Sequence, residues 1–229
     1  MLLAFLLGTA PAPVVCIDPG HPSEVGRGTQ GRKLTELHAA WTVAIALRTA
    51  LQKRGVKVVL TKDAEGTFVK NLERSRIANE ANADLFLRLH CDAAAGSGTA
   101  VYHPTRQGTS RGFIGPSREV LARSRRAAVP FHRAYAAALK GHLRDNGLKS
   151  DLATAVGAKQ GALTGSIHSK VPVLLVEMCV LTTRKDEAFL LSRSGHARMV
   201  RALEAGTLSA LQALGASGAK RSTITPSGS

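Results

Sequence analysis

Apolar and polar positions along the chain follow two alternating periods. Val14–Asp18 (Val-Val-Cys-Ile-Asp) is a short β-type run that stops at Pro19-Gly20. From Thr35 to Arg54, the positions Leu37, Ala40, Trp41, Ala44, Leu47 and Leu51 recur at helical spacing, and Gly55 supplies a stop. Val56–Leu60 predicts the next strand and Asn71–Asn82 a shorter helix. Asp84–His90 reads as a strand ending in the polar cluster His90-Cys91-Asp92, and Thr99–His103 as another. Beyond a Gly-rich loop, Ser117–Asn146 predicts a long helical stretch interrupted near Pro130. Val171–Met178 is an apolar strand and Gly195–Leu214 a final amphipathic helix. Alternating strands and helices, with strands that are apolar almost throughout, predict an α/β fold. The expected architecture is a single domain with a mostly parallel twisted sheet and helices on both faces.

The ends of the chain read differently. Met1–Gly8 is apolar, with small residues Gly8 and Ala10 near a cleavage position, although Pro11 suits processing poorly. Residues 1–13 are therefore expected to be a leader, 14–214 the folded domain and 215–229 a flexible Gly/Ser/Thr-rich tail.

Composition narrows the class. The 229 residues suit one domain, with 44% hydrophobic and 21% charged residues. No apolar run approaches the roughly 18 residues of a membrane-spanning helix. Lys plus Arg exceeds Asp plus Glu by 31 to 16, a net +15, yet aromatics are only 4%. A single-strand nucleic-acid binder needs aromatic platforms beside its basic groove, so nucleic acid is not an expected partner. The charge is uneven: residues 101–150 carry ten Lys and Arg against Glu119 and Asp145. Such a segment favours a polyanion or an anionic surface, and a solvated helix face explains it equally well. Three cysteines exclude a disulfide framework. Cys16, Cys91 and Cys179 each lie within two residues of Asp18, His90 or Glu177. A bond between Cys16 and Cys179 across neighbouring strands, or a metal-ligand role, competes with the simpler reading of buried small hydrophobes.

Candidate chemistry gathers at strand ends. In open α/β sheets, sites form outside the carboxyl ends of the strands. The first strand ends Asp18-Pro-Gly-His21, the third ends His90-Cys-Asp92, and the late apolar strand carries Glu177. Glu36 opens the helix after the first strand's loop. Two imidazoles and a carboxylate suit zinc with an open fourth position. Glu177, alone in an apolar strand, needs a partner or a role as general base. An ion pair with Arg88, on the same strand face as His90, is one such partner. His21-Pro-Ser-Glu24 is also an H-x-x-E pair of the zinc carboxypeptidase type, so Glu24 competes with Glu36 as the carboxylate ligand.

Several segments together resemble one family. They are Val15-Cys-Ile-Asp-Pro-Gly-His21 with Glu36 fifteen residues on, Arg54–Lys62, Arg74 with Ile77-Ala-Asn79, Ala83–His90 and Val171–Glu177. In order and spacing, over roughly residues 14–212, they are similar to the zinc-dependent N-acetylmuramoyl-L-alanine amidases. The resemblance implies a zinc-exopeptidase-like fold and hydrolysis of the amide between N-acetylmuramic acid and L-alanine of peptidoglycan. It implies one Zn2+ per chain on His21, Glu36 and His90, which favours Glu36 over Glu24, with Glu177 as the catalytic glutamate. Residues 14–214 would then be the catalytic domain, acting on peptidoglycan or muropeptides after export, in the periplasm or at the cell wall. The basic 101–150 segment could meet an anionic wall polymer. The alternatives are a zinc carboxypeptidase-like peptide hydrolase using His21 and Glu24, or a non-catalytic module that binds wall polymer. Departures lie near the four core residues. Pro22-Ser23-Glu24 stands where the family has Gly-Gly, Arg88 and Asp92 stand for the Ser and Asn around the second His, and Cys179-Val180 for a Gly-Phe. Asp18, Glu24, Arg88 and Asp92 are accordingly candidates for supporting the metal site or lining the substrate cleft.

Overall fold

The computed structural model describes residues 11–216. Most of the expected leader, and all of the expected tail except Gly215 and Ala216, lie outside the described residues. Along the described residues run eight strands and seven α-helices: β1 (Val14–Pro19), α1 (Glu36–Lys53), β2 (Lys57–Leu60), α2 (Asn71–Glu80), β3 (Leu85–Asp92), β4 (Thr99–His103), β5 (Gly108–Ser110), β6 (Phe113–Gly115), α3 (Arg118–Leu139), β7 (Asp145–Ser150), α4 (Ala155–Gln160), α5 (Thr164–Ile167), β8 (Val173–Val180), α6 (Arg184–Leu191) and α7 (Arg193–Leu214). Six strands form one sheet in the order β2-β1-β3-β8-β4-β7, and β5 and β6 form a separate hairpin. Within the six-stranded sheet the pairs β1–β2, β1–β3, β3–β8 and β4–β7 are parallel and β4 against β8 is antiparallel.

The chain leaves β1 for β2 on one side and returns to β3 on the other, so the strand order reverses around β1. That reversal is the kind of switch point where α/β sheets open a crevice. One face of the sheet, with Val15, Ile17, Leu87, Leu89, Val101 and Val176, is buried under α1, α3 and α7. The other face carries Cys16, Phe86 and Val173 against Ala78 of α2, with Tyr102 and Leu175 near Leu163. Helices on both faces of a mostly parallel sheet are as the periodicity predicted.

Three expectations differ in detail. Residues 118–139 form one continuous helix through Pro130. Proline removes one backbone donor there, but Ala127, Ala128, Phe131 and Tyr135 are fully buried on both sides of it, and their packing outweighs the lost bond. The helix stops at Lys140-Gly141, where Gly141 takes φ +80°, and Asp145–Ser150 becomes edge strand β7 instead of continuing the helix. A polar, half-exposed edge strand carries no apolar alternation. The hairpin β5–β6 and helices α4, α5 and α6 occupy stretches with no clear period.

Candidate active site

His21, Glu36 and His90 converge at the carboxyl ends of β1 and β3. Glu36 is the first residue of α1, behind the N-cap Thr35, whose side chain accepts from His38 N. One of its oxygens, Oε1, lies 3.3 Å from His21 Nε2 and 2.9 Å from His90 Nδ1. Cys91 N also donates to Oε1 (3.1 Å), and Thr29 N donates to Oε2 (2.7 Å). His21 Nδ1 faces the Gly26 carbonyl at 3.0 Å. A carbonyl can only accept, so Nδ1 carries the proton and Nε2 is left free to face Glu36.

Close backbone approach makes this convergence fit. A Cβ on Gly20 would stand 2.6 Å from His90 Cε1 and 2.9 Å from Leu89 O. Gly28, at φ +86°, would place a Cβ 2.7 Å from both Glu36 Oε2 and His21 Cδ2. His21 itself adopts φ 56°, a region that non-glycine residues seldom occupy and that aims the imidazole here.

One donor atom from each of the three side chains falls within 4.8 Å of the others. Burial opposes the charged form of His21, but the hydrogen bond and charge of Glu36 outweigh it and raise the imidazole's pKa. In His90 burial wins and lowers it. Burial also opposes ionisation of Glu36, yet its two imidazole partners hold its carboxyl far below the usual range. His90 Nε2 is buried with no hydrogen-bond partner. A neutral imidazole, a second imidazole fixed by a backbone carbonyl and an ionised carboxylate form a donor set that zinc accepts. The residues therefore fit the metal.

Glu177 stands beside this cluster. It pairs in register with His90 of β3 and Ala100 of β4, so it shares the cluster's face of the sheet. Its Oε2 is buried without a partner. Burial pushes its carboxyl well above the ordinary value, helped by the charges of Glu36 and Asp92 and only partly offset by Arg88. The considered ion pair with Arg88 does not form. Arg88 Nε donates instead to Asp18 Oδ2 (2.8 Å) and its Nη2 to Asn71 Oδ1 (2.7 Å). With Gly165 packed against its guanidinium and only 4% exposed, Arg88 braces the sheet under α2 and α5 and does not line an open cleft.

The structure sets the other candidates apart. Glu24 accepts from Asn71 N (2.9 Å) and so caps α2, whose Lys70 N-cap makes no side-chain bond; it does not join the cluster. Asp92 accepts from Ala93 N and Ala94 N and shapes the turn after β3. Asp18 does not hold His21's second nitrogen. It is fully buried between Arg74, Arg88 and Thr61. Arg74 spans from Asp18 to the carbonyls of Pro19 (2.8 Å) and Pro22 (2.9 Å), which fixes the turn presenting His21. Arg74, Gly28 and Lys62 support the site without any local sequence pattern that marks them. Lys62 donates to the His21 carbonyl, and burial lowers its pKa to about 8. Their signal lies in long-range contacts that no local period encodes. All three cysteines are free and buried. Cys16 and Cys179 cannot bond as neighbours, because β3 separates β1 from β8.

The model of the N-acetylmuramoyl-L-alanine amidase family matches residues 15–208. The chain belongs to this amidase family. It is 28% identical over 198 residues to N-acetylmuramoyl-L-alanine amidase LytC of Bacillus subtilis, covering 85% of this chain and 35% of that protein. It is 32% identical over 101 residues to the amidase AmiA of Escherichia coli, covering 42% and 34%. The chain thus spans about a third of the length of these curated relatives. The crystal structure of the N-acetylmuramyl-L-alanine amidase Ami1 from Mycobacterium smegmatis superposes with a TM-score of 0.70 at 20% identity, covering 91% of this chain and all of that one. The amidase fold is therefore shared over nearly the whole described domain.

Proposed function

We propose that this chain is a zinc-dependent hydrolase of the amide joining N-acetylmuramic acid to the L-alanine of a peptidoglycan stem. His21, Glu36 and His90 would hold one zinc ion, and Glu177 would be the catalytic base. The observation that carries the reading is the meeting of three ligand-type side chains within 4.8 Å beside a buried carboxyl oxygen that has no partner. The family match supports the bond cleaved.

A divalent cation at the cluster would act as a Lewis acid on the scissile carbonyl and lower the pKa of a water towards about 7. Glu177 takes a proton from the attacking water at Oε2 and passes it to the departing alanine nitrogen. Burial suits both halves of this task, since a carboxyl with a raised pKa is a competent base and holds its proton until the leaving group needs it. His21 keeps Nε2 available by donating Nδ1–H to Gly26 O. Asp18 acts at one remove, through Arg74 and the carbonyls of the turn.

The deciding assay incubates the protein with muropeptides, with and without a chelator and zinc add-back, and identifies products by mass. Free stem peptides beginning at L-alanine, lost on chelation and restored by zinc, are expected. Shortening of the stem from its C-terminus, with the muramyl amide intact, would overturn the assignment in favour of a carboxypeptidase-like hydrolase. A wall substrate would put the enzyme outside the cytoplasm, periplasmic or wall-associated. Among the described residues no helix is long and apolar enough to cross a membrane. Residues 1–13 fused to a reporter active only after export test the leader.

A further inference from the structure

The sheet face that carries Glu177 continues beyond it onto β4 and β7. Glu177 of β8 pairs with Ala100 of β4. Two residues along, Tyr102 pairs with Leu175 of β8 on one side and with Lys149 of β7 on the other. Side chains two apart on a strand share a face, so Ala100, Tyr102, Lys149, Leu175 and Glu177 lie on one surface. Ala100, Tyr102 and Leu175 pack with Leu163 into a small apolar floor, and Lys149 stays half-buried at its rim. The Lys149 ammonium rests over the Tyr102 ring, 5.8 Å from its centre. It therefore sits above β4, one strand spacing from β8 and two residues along from Glu177, a separation of about 8 Å in the plane of the sheet.

On β3, β8, β4 and β7 this face carries two permanently charged cations, Arg88 and Lys149. Arg88 is committed to Asp18 and Asn71. Lys149 forms no ion pair among the described residues and has the Tyr102 ring as its support. The Tyr102 hydroxyl likewise has no hydrogen-bond partner among the described residues. Burial, together with the charges of Glu177 and Asp92, pushes the phenol up to about 12, so it keeps its proton and can donate. An unpaired ammonium and a free O–H thus stand side by side next to the hydrolytic cluster, a combination that suits a carboxylate.

The substrate offers one at a matching distance. The carboxyl of muramic acid is consumed in the scissile amide, so that side of the bond carries no charge. The residue after L-alanine is a D-glutamate linked through its side-chain carboxyl, which leaves its main-chain carboxyl either free or amidated. At about 3.5 Å per extended residue, that group lies about 7 Å from the scissile nitrogen. We infer that Lys149, with the Tyr102 hydroxyl, holds the free main-chain carboxylate of the stem's second residue and so selects stems that are not amidated there. This contact presupposes the muramyl amidase activity proposed above and specifies which stems it takes. The carboxamide has the same shape but no charge and brings an NH2 donor towards the ammonium, so the discrimination is electrostatic.

The test compares two N-acetylmuramoyl tripeptides that differ only in a carboxylate or a carboxamide on the second residue. Initial rates with the full, zinc-loaded chain give kcat and KM separately. Wild type is expected to favour the carboxylate by at least about tenfold in kcat/KM, mostly through KM. Lys149→Met keeps an aliphatic stem over Tyr102 and should bring that preference within about twofold, with the carboxamide substrate unaffected. Tyr102→Phe should reduce the preference about threefold. Lys53→Met removes an exposed charge at the end of α1 and should keep the wild-type preference. Equal hydrolysis of both stems by wild type, or a preference that survives Lys149→Met, would overturn the inference and leave the amidase reading intact. An equal loss on both stems in Lys149→Met would mean that the lysine only supports this face, and the assignment would be withdrawn. If wild type cuts neither stem, the amidase reading falls and this contact with it. Thermal midpoints check that the variants are folded.

Discussion

Gly28→Ala tests whether the approach of the 26–31 loop sets metal affinity. The added Cβ would lie 2.7 Å from Glu36 Oε2 and from His21 Cδ2, in a backbone conformation of φ +86°. Left-handed backbone costs about 1–2 kcal/mol for a residue bearing a Cβ. Relieving the contact must also move Thr29 N, which now donates to Glu36 Oε2 at 2.7 Å. A hydrogen bond to a charged group contributes about 1.5–3 kcal/mol. The alanine variant can keep its fold by letting the loop shift, because Gly28 lies outside every strand and helix. The loss then falls on the alignment of Glu36 with His21. Supporting contacts around metal ligands typically change affinity by about 10–100-fold, which agrees with one to two bond-equivalents at about 1.4 kcal/mol per decade. Competition for zinc against a chromophoric chelator reads this directly, and circular dichroism checks the fold. Zinc affinity within about twofold of wild type would refute the reasoning, because a Cβ at that distance must displace Glu36 or His21.

Three further perturbations separate the roles. Glu177→Gln should retain stoichiometric zinc and lose about 10²–10⁴ in turnover on muropeptides; a turnover near wild type would remove Glu177 from proton transfer. Glu24→Ala should leave zinc affinity unchanged and lower unfolding stability by about 1 kcal/mol, the usual contribution of a helix cap. Loss of zinc in that variant would revive the His21–Glu24 ligand pair. Asp18→Asn leaves Arg74 and Arg88 buried without their shared carboxylate and should destabilise the fold by about 3–5 kcal/mol at neutral pH in urea titrations. Burial opposes ionisation of Asp18, but Arg74 and Arg88 together depress its folded pKa below the ordinary 3.8. Its stabilisation is therefore complete above that value and drains away as pH falls beneath it. The variant should show a flatter acid limb than wild type, and an equally steep limb would show that other groups control acid unfolding.

The legible parts of this molecule are those where burial imposes a period. β1, α1, β2, α2 and β3 follow the apolar spacing almost residue for residue, because each buries a face or stripe of the core. β7 escaped because Asp-Asn-Gly-Leu-Lys-Ser lies half-exposed at a sheet edge and buries no stripe. Pro130 predicts a break in α3 because its effect is local, whereas packing against α7 is not a local property. The cluster shows the same divide. That His21, His90 and Glu177 share one sheet edge follows from strand ends, once a parallel sheet is granted. Spacing could not choose between Glu24 and Glu36, since His21-x-x-Glu is the tighter pair in sequence. The choice is made in three dimensions, where α2's first amide takes Glu24 and leaves Glu36 between the two imidazoles.

The arrangement of charge explains why the site tolerates so many buried ionisable groups. Asp18 neutralises one of two buried arginines, which leaves about one positive charge beneath the cluster. That charge partly offsets the cost of keeping Glu177 in an apolar strand. It does not satisfy the carboxyl, because Arg88 is held away by Asp18 and Asn71. A direct Arg88–Glu177 pair would fix the carboxylate in its ionised form and depress its pKa, so that it would take up a proton poorly. Diverting the guanidinium to Asp18 keeps the field while leaving Oε2 free. On this reasoning Arg88→Lys should damage turnover more than its conserved charge suggests. A single ammonium cannot bond Asp18 and Asn71 with the fork geometry of a guanidinium, so it is free to turn towards Glu177. The readout is the acid limb of the turnover–pH profile. It should move to lower pH in Arg88→Lys, whereas a purely structural role for Arg88 would lower turnover at every pH and leave the limb in place.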